Sequence, residues 1–157
     1  MTPAINIVKK HKVAHTLHKY QHDQNHSSYG LEAAEKLNLP PAQVFKTLVS
    51  KLDNNELVIA IVPVTGMLNL KQLAKACTSK KSVMAEKTVV EKATGYVLGG
   101  VSPLGQKRRL RTVIDSSARD FQTIYVSAGR RGLEIELSPT DLADLTGGTF
   151  FGIAQQD

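Results

Sequence analysis

The sequence predicts an α+β fold: a mixed, mostly antiparallel sheet, curled or barrel-like, with helices packed around it. Three observations predict it. Val44–Leu52 and Leu57–Pro63 are long apolar runs separated only by Asp53-Asn54-Asn55-Glu56, so they read as a hairpin. Arg111–Asp115, Thr123–Ser127 and Leu133–Leu137 are shorter strand-like runs in the second half, with no helical pattern between them. The helical signals are short and scattered, which excludes strict β–α alternation.

The elements follow in order. Thr2-Pro3 opens a helix, threonine as cap and proline in the first turn, and this helix ends near His11. Val13–Tyr20 reads as a strand and Asp23–Ser28 as polar loop. Leu31–Leu37 is a short helix closed by Asn38 and Pro40-Pro41. After the hairpin, Asn69 caps a helix from Leu70 to about Cys77. A further helix runs from about Glu86 to Ala93 and stops at Gly95, and Ser138-Pro139 starts a last one that stops at Gly147-Gly148. No repeat, low-complexity tract or linker divides the chain, so residues 1–157 are expected to form one domain with a real core.

Composition narrows the function classes. No apolar run approaches the roughly 18 residues of a membrane span. Met1–Asn6 lacks the charged-then-apolar pattern of a signal peptide. Cys77 is the only cysteine, so no internal disulfide can form and a cytoplasmic location is expected. The net charge of +6 favours a polyanionic partner such as nucleic acid. Four of the five residues Lys107-Arg108-Arg109-Leu110-Arg111 are cationic, and Lys80, Lys81, Arg130 and Arg131 add to the charge. Only 5% of residues are aromatic and tryptophan is absent, which argues against a general oligonucleotide binder that stacks bases.

The chemistry-bearing candidates are few. Gly99-Gly100-Val101-Ser102-Pro103-Leu104-Gly105 holds three glycines and a proline, so its backbone can approach a ligand closely. It fails the G-x-S-x-G elbow at its last position. It also fails the Walker loop, because Gln106 stands where the phosphate-binding lysine belongs. Lys46 interrupts an apolar strand, and alternation leaves it either at an exposed edge or facing a polar cleft. Glu134 and Glu136 share a strand face, which alternation makes the wet one. The five histidines lie between His11 and His26; on one continuous helix they could hold a metal. The segment instead reads as helix, strand and loop, so a solvated histidine-rich edge is expected and no metal. Cys77 reads as a small buried apolar group. The inventory contains no nucleophile–base pair. Such a site can bind and polarise, but must take its nucleophile from water or from the substrate.

Thr2-Pro3-Ala4, Phe45-Lys46-Thr47-Leu48, Gly95–Lys107 and Ile124–Gly129 together resemble the YbaK family, free-standing relatives of the editing domain inserted in bacterial prolyl-tRNA synthetases. The likeness covers essentially the whole chain and is greatest to members that clear cysteine rather than alanine. It implies the fold of that editing domain and removal of cysteine from Cys-tRNA(Pro), with Cys-tRNA(Cys) a further substrate. The partners implied are the charged tRNA and prolyl-tRNA synthetase, and no cofactor. The family's lysine falls on Lys46 and its G-x-x-x-P loop on Gly99 and Pro103, with Gly100, Val101 and Ser102 between. The aromatic pocket positions match Tyr20 and Tyr29. Thr47, Ser127 and Gly129 take substrate-binding positions, and Lys107, Arg108, Arg109 and Arg111 would contact tRNA phosphates. Glu134 stands at the acidic position, where the nearest relatives would have aspartate. The substrate's thiol would attack its own ester, leaving a thiolactone. Two readings compete: a water-using hydrolase of the same fold for alanine or another small residue, and a non-catalytic module that binds tRNA or the synthetase.

Overall fold

The computed structural model describes residues 1–26 and 28–156. The chain runs α1 (Pro3–Lys10), β1 (Thr16–Lys19), α2 (Tyr29–Lys36), β2 (Phe45–Leu52), β3 (Leu57–Pro63), β4 (Gly66–Leu68), α3 (Leu70–Ala76) and β5 (Ser82–Met84). It continues with α4 (Lys87–Thr94), β6 (Arg111–Asp115), β7 (Ile124–Arg130), β8 (Leu133–Leu137), α5 (Pro139–Thr146), β9 (Thr149–Phe151) and β10 (Ala154–Gln156). The predicted caps are in place. The Thr2, Asn69 and Ser138 side chains accept from the N–H groups of Ile5, Gln72 and Asp141, at 3.3, 3.1 and 3.1 Å. Gly95 and Gly147 end their helices in the left-handed region, at φ of 80° and 69°.

The hairpin is the spine of a five-stranded sheet of order β5-β2-β3-β6-β9, with Lys46 opposite Val62. β6 lies parallel to β3, and β9 parallel to β6. A second sheet, β1-β8-β7, is antiparallel throughout, and β4 pairs with β10. The two larger sheets meet at a single bridge between Val44 and Tyr125. The α+β class and the mostly antiparallel pairing are as predicted. The barrel-like closure is not: one bridge joins the sheets instead of a ladder, and β5, β9 and β1 keep free edges among the described residues. The three-residue strands β4, β5, β9 and β10 escaped prediction because a period of two cannot be recognised over so short a run.

One core fills the space between β2, β3, α1, α4 and the second sheet, around Phe45, Ile61, Leu104 and Ile135. A smaller core on the other face of the hairpin holds Val58, Val62, Leu73 and Cys77. Cys77 is therefore a buried packing residue, as its sequence context predicts, and burial pushes its thiol up.

Candidate active site

A cavity of about 400 Å³ opens where the two larger sheets meet. The start of β2 supplies Phe45, Lys46, Thr47 and Leu48; Ser127 on β7, Glu134 on β8 and Tyr20 form one wall. The N-terminus of α2, with Ser28, Tyr29 and Gly30, forms another, and Leu98, Gly99 and Val101 come from the glycine loop. Arg130, the last residue of β7, and Arg131, in the turn to β8, complete the lining.

Lys46 takes the polar-cleft alternative: it is half-buried and faces this cavity. It forms no ion pair among the described residues. Beside it the Thr47 Oγ1 is buried with no hydrogen-bond partner among the described residues. An unmatched hydroxyl costs free energy in a dry site and gains a partner once a polar ligand enters.

Glu134 pairs across the sheet with His18 on β1 and Ser127 on β7. It is only 6% exposed, and burial raises its carboxyl to about 8. It is thus a neutral acid at neutral pH. Its burial corrects the wet-face expectation: α2 and the glycine loop cover this face of the second sheet. Glu136, two residues on, behaves as expected of an accessible carboxylate. Thr123 donates to it at 2.6 Å and the His18 ring meets it at 2.9 Å, and these contacts hold its carboxyl low.

The glycine loop divides into two parts. Gly99 (φ +94°) lies so close to Tyr29 that a Cβ would come 2.7 Å from ring atom Cε2. The N–H groups of Gly99, Val101 and Ser102 have no acceptor among the described residues. Gly100 differs: its N–H donates to the Val97 carbonyl at 3.0 Å and is not free to meet a ligand. The rest of the loop turns into the core. Ser102 is fully buried; its Oγ accepts from the Leu104 N–H at 3.2 Å, and its carbonyl accepts from Gln106 Nε2 at 2.9 Å. Pro103 lines a separate hollow of about 170 Å³, beside Arg108 and Arg109. Gly129 sits in a β7 bulge at φ 111°, and a Cβ there would come 2.8 Å from Tyr96 Cε1. Of the residues predicted for the site, Tyr20, Tyr29, Lys46, Thr47, Gly99, Val101, Ser127 and Glu134 therefore meet in the cavity. Gly100, Ser102, Pro103 and Gly129 build its support and do not line it.

The basic run also stands off the cavity. Arg111 is committed to Glu56 through contacts of 2.6 and 2.9 Å, and donates to the Cys77 carbonyl at 3.0 Å. Arg109 packs against Gly147, while Lys107 and Arg108 are exposed. The cations at the cavity are Lys46, Arg130 and Arg131. Sequence reasoning treated the last two as surface charge only. The available signal was their place at the two-residue turn Arg131-Gly132 between paired strands, Arg130 ending β7 and Arg131 opening the turn. It missed Glu32 altogether. This glutamate of α2 is fully buried, and burial alone would raise its carboxyl. The Asp23 N–H at 2.7 Å, His22 at 3.0 Å and Lys36 at 3.3 Å outweigh that and hold it at about 2. The histidine edge is thus less solvated than expected, since His18, His22 and His26 each meet a glutamate. No group of three metal-ligating side chains occurs among the described residues.

Residues 26–145 match the family model of the aminoacyl-tRNA editing domain. The chain belongs to that family. Editing a charged tRNA removes its amino acid, so the chain is an aminoacyl-tRNA deacylase. It is 36% identical, over 99% of its length and 94% of the relative's, to EbsC of Enterococcus faecalis, a proposed Cys-tRNA(Pro)/Cys-tRNA(Cys) deacylase. It is 24% identical to the Bacillus subtilis protein YwhH over 73% of each chain. The crystal structure of a proposed trans-editing enzyme for prolyl-tRNA synthetase shares the fold, with a TM-score of 0.81 at 18% identity over 99% of both chains. No helix among the described residues is long and apolar enough to cross a membrane.

Proposed function

We propose that the chain, acting as one editing domain in the cytoplasm, removes cysteine from tRNA(Pro) mischarged with it, and from Cys-tRNA(Cys). The resemblance to EbsC supports the substrate. One observation supports the chemistry: the described residues that line the cavity include no activated nucleophile. Its hydroxyls on Ser28, Thr47 and Ser127 have no histidine among the lining residues to serve as base, and Cys77 is packed in the other core.

The substrate brings what is missing. A cysteinyl thiol with a pKa near 8.5 is partly ionised at neutral pH, and its thiolate is a strong nucleophile. Held against its own ester, it gains the several kcal/mol of an intramolecular reaction. The sulfur forms a bond to the carbonyl carbon, and the carbonyl π pair moves to oxygen, facing the free N–H groups of Gly99 and Val101. When that pair returns, the bond to the ribose oxygen breaks, leaving a cysteine thiolactone and free tRNA. The ribose oxygen takes a proton from the neutral Glu134 carboxyl, which recovers one from solvent. The Lys46 ammonium positions the tRNA 3′ end or balances the developing charge. Lys107, Arg108 and Arg109 contact the tRNA backbone, and prolyl-tRNA synthetase delivers the mischarged tRNA.

The test is a panel of cysteinyl, seryl and alanyl tRNA(Pro), with and without prolyl-tRNA synthetase. Fast loss of cysteine alone, with thiolactone as first product, is expected. Equal rates for cysteine and serine, with free amino acid as first product, would establish an attacking water instead. Tight binding without deacylation would make the chain a binding module.

A further inference from the structure

The wall at α2 is held by a buried ion cluster that the reaction itself does not use. The Arg131 guanidinium lies over the Tyr29 ring, 3.7 Å from its centroid. Tyr29 in turn rests against Gly99 of the loop. Arg131 Nε and Nη2 are buried without hydrogen-bond partners among the described residues, and the carboxylate that faces Nη2 is Glu32, at 3.6 Å. Glu32 is anchored independently by the Asp23 N–H, His22 and Lys36. The order of support therefore runs from Glu32 to Arg131 to Tyr29 to the cavity.

The loop on the far side of Tyr29 does not depend on that support. Gly100 packs on the Arg130 backbone, the Tyr96 hydroxyl donates to the Leu104 carbonyl at 2.6 Å, and Gln106 holds the Ser102 carbonyl. Loss of the clamp would thus open the α2 wall and leave the loop N–H groups in place.

We infer that Glu32 is a positioning residue for substrate binding: it holds Arg131 on Tyr29 and so fixes the wall against which the aminoacylated end of the tRNA is held. The inference rests on the proposed deacylase reading. It predicts a KM effect with little change in kcat. It also predicts a sign that charge alone would reverse, because removing an anion near a polyanion's site should tighten binding.

The experiment is steady-state deacylation of Cys-tRNA(Pro) by Glu32→Gln, Arg131→Gln and the double variant, with thermal melts to confirm folding. Glu32→Gln should raise KM about tenfold with kcat within about twofold, and the double variant should be no worse than either single one. Lys36→Gln, which removes a different partner of Glu32, should leave KM within about twofold. Arg131→Lys keeps the charge but loses the planar stack, and should behave like Arg131→Gln. It also tests the inference if Glu32→Gln does not fold. A lower or unchanged KM in folded Glu32→Gln, multiplicative effects in the double variant, or a wild-type KM in Arg131→Lys overturns the inference. Failure of the wild-type chain to release cysteine would instead overturn the underlying deacylase reading.

Discussion

The two walls of the cavity each bury a glutamate, and the two carboxyls end in opposite states. Glu134, on the β8 wall, has no cation or donor in contact with its carboxyl among the described residues, and burial raises it to about 8. Glu32, on the α2 wall, is buried as well, yet a backbone N–H, a histidine, a lysine and an arginine surround it, and it is held at about 2. Burial by itself does not decide ionisation; the number of donors reaching the carboxylate does. The consequence is a division of labour. In the proposed reaction the β8 wall offers a neutral acid to the substrate, while in the further proposal the α2 wall uses a fixed charge to hold its own side chains.

The sharpest way to break this comparison lies between the walls, at Lys46. The division requires that its ammonium serve the substrate and not neutralise Glu134. Lys46→Ala should cut deacylation of Cys-tRNA(Pro) by about a hundredfold, the scale of losing one preorganised electrostatic contact. A wild-type rate in a single-turnover assay would remove the lysine from the mechanism.

Stability against pH separates the walls next. A carboxyl raised in the folded state keeps its contribution at low pH and loses it as pH rises, for Glu134 between its ordinary value of 4.5 and about 8. Glu134→Gln, always neutral, should abolish that loss and be more stable than wild type at pH 8 by a few kcal/mol. A carboxyl held low contributes above its ordinary value and loses the contribution in acid, for Glu32 between 4.5 and about 2. Glu32→Gln should therefore be less stable at neutral pH, by about 2 kcal/mol, and should lack that acid slope. Urea titrations from pH 3 to 9 check both, and parallel profiles for the two variants would refute the contrast.

The smallest effect belongs to the basic run, which touches neither wall. Arg108→Ala should weaken tRNA binding less than about threefold at moderate salt and lower the log–log salt slope by about one. A loss of kcat in this variant would mean that the run reaches the reacting end after all.

Much of this was legible in the sequence. The hairpin, the caps at Thr2, Asn69 and Ser138, and the left-handed stops at Gly95 and Gly147 are local, so residue type and spacing reveal them. Lys46, Tyr20, Tyr29 and Gly99 could be picked out as well, and the structure brings them together. Other features depend on what packs against them. Alternation places Glu134 on the side that should be wet, and only α2 and the loop folding over that side make it a buried acid. Within Tyr29–Lys36 only Lys36, one helical turn on, sets Glu32 apart from the exposed Glu35; its partners His22 and Arg131 come from distant parts of the chain.

The chain alone thus determined the five helices, the longer strands and the burial of its lone thiol, because these follow from local pattern and composition. The tertiary structure decided which half of the glycine loop lines the cavity, which cations border it, and which of two glutamates keeps its charge. Each of those depends on which distant segments pack together and which polar groups they bring to a buried site, and that is written nowhere in the local pattern.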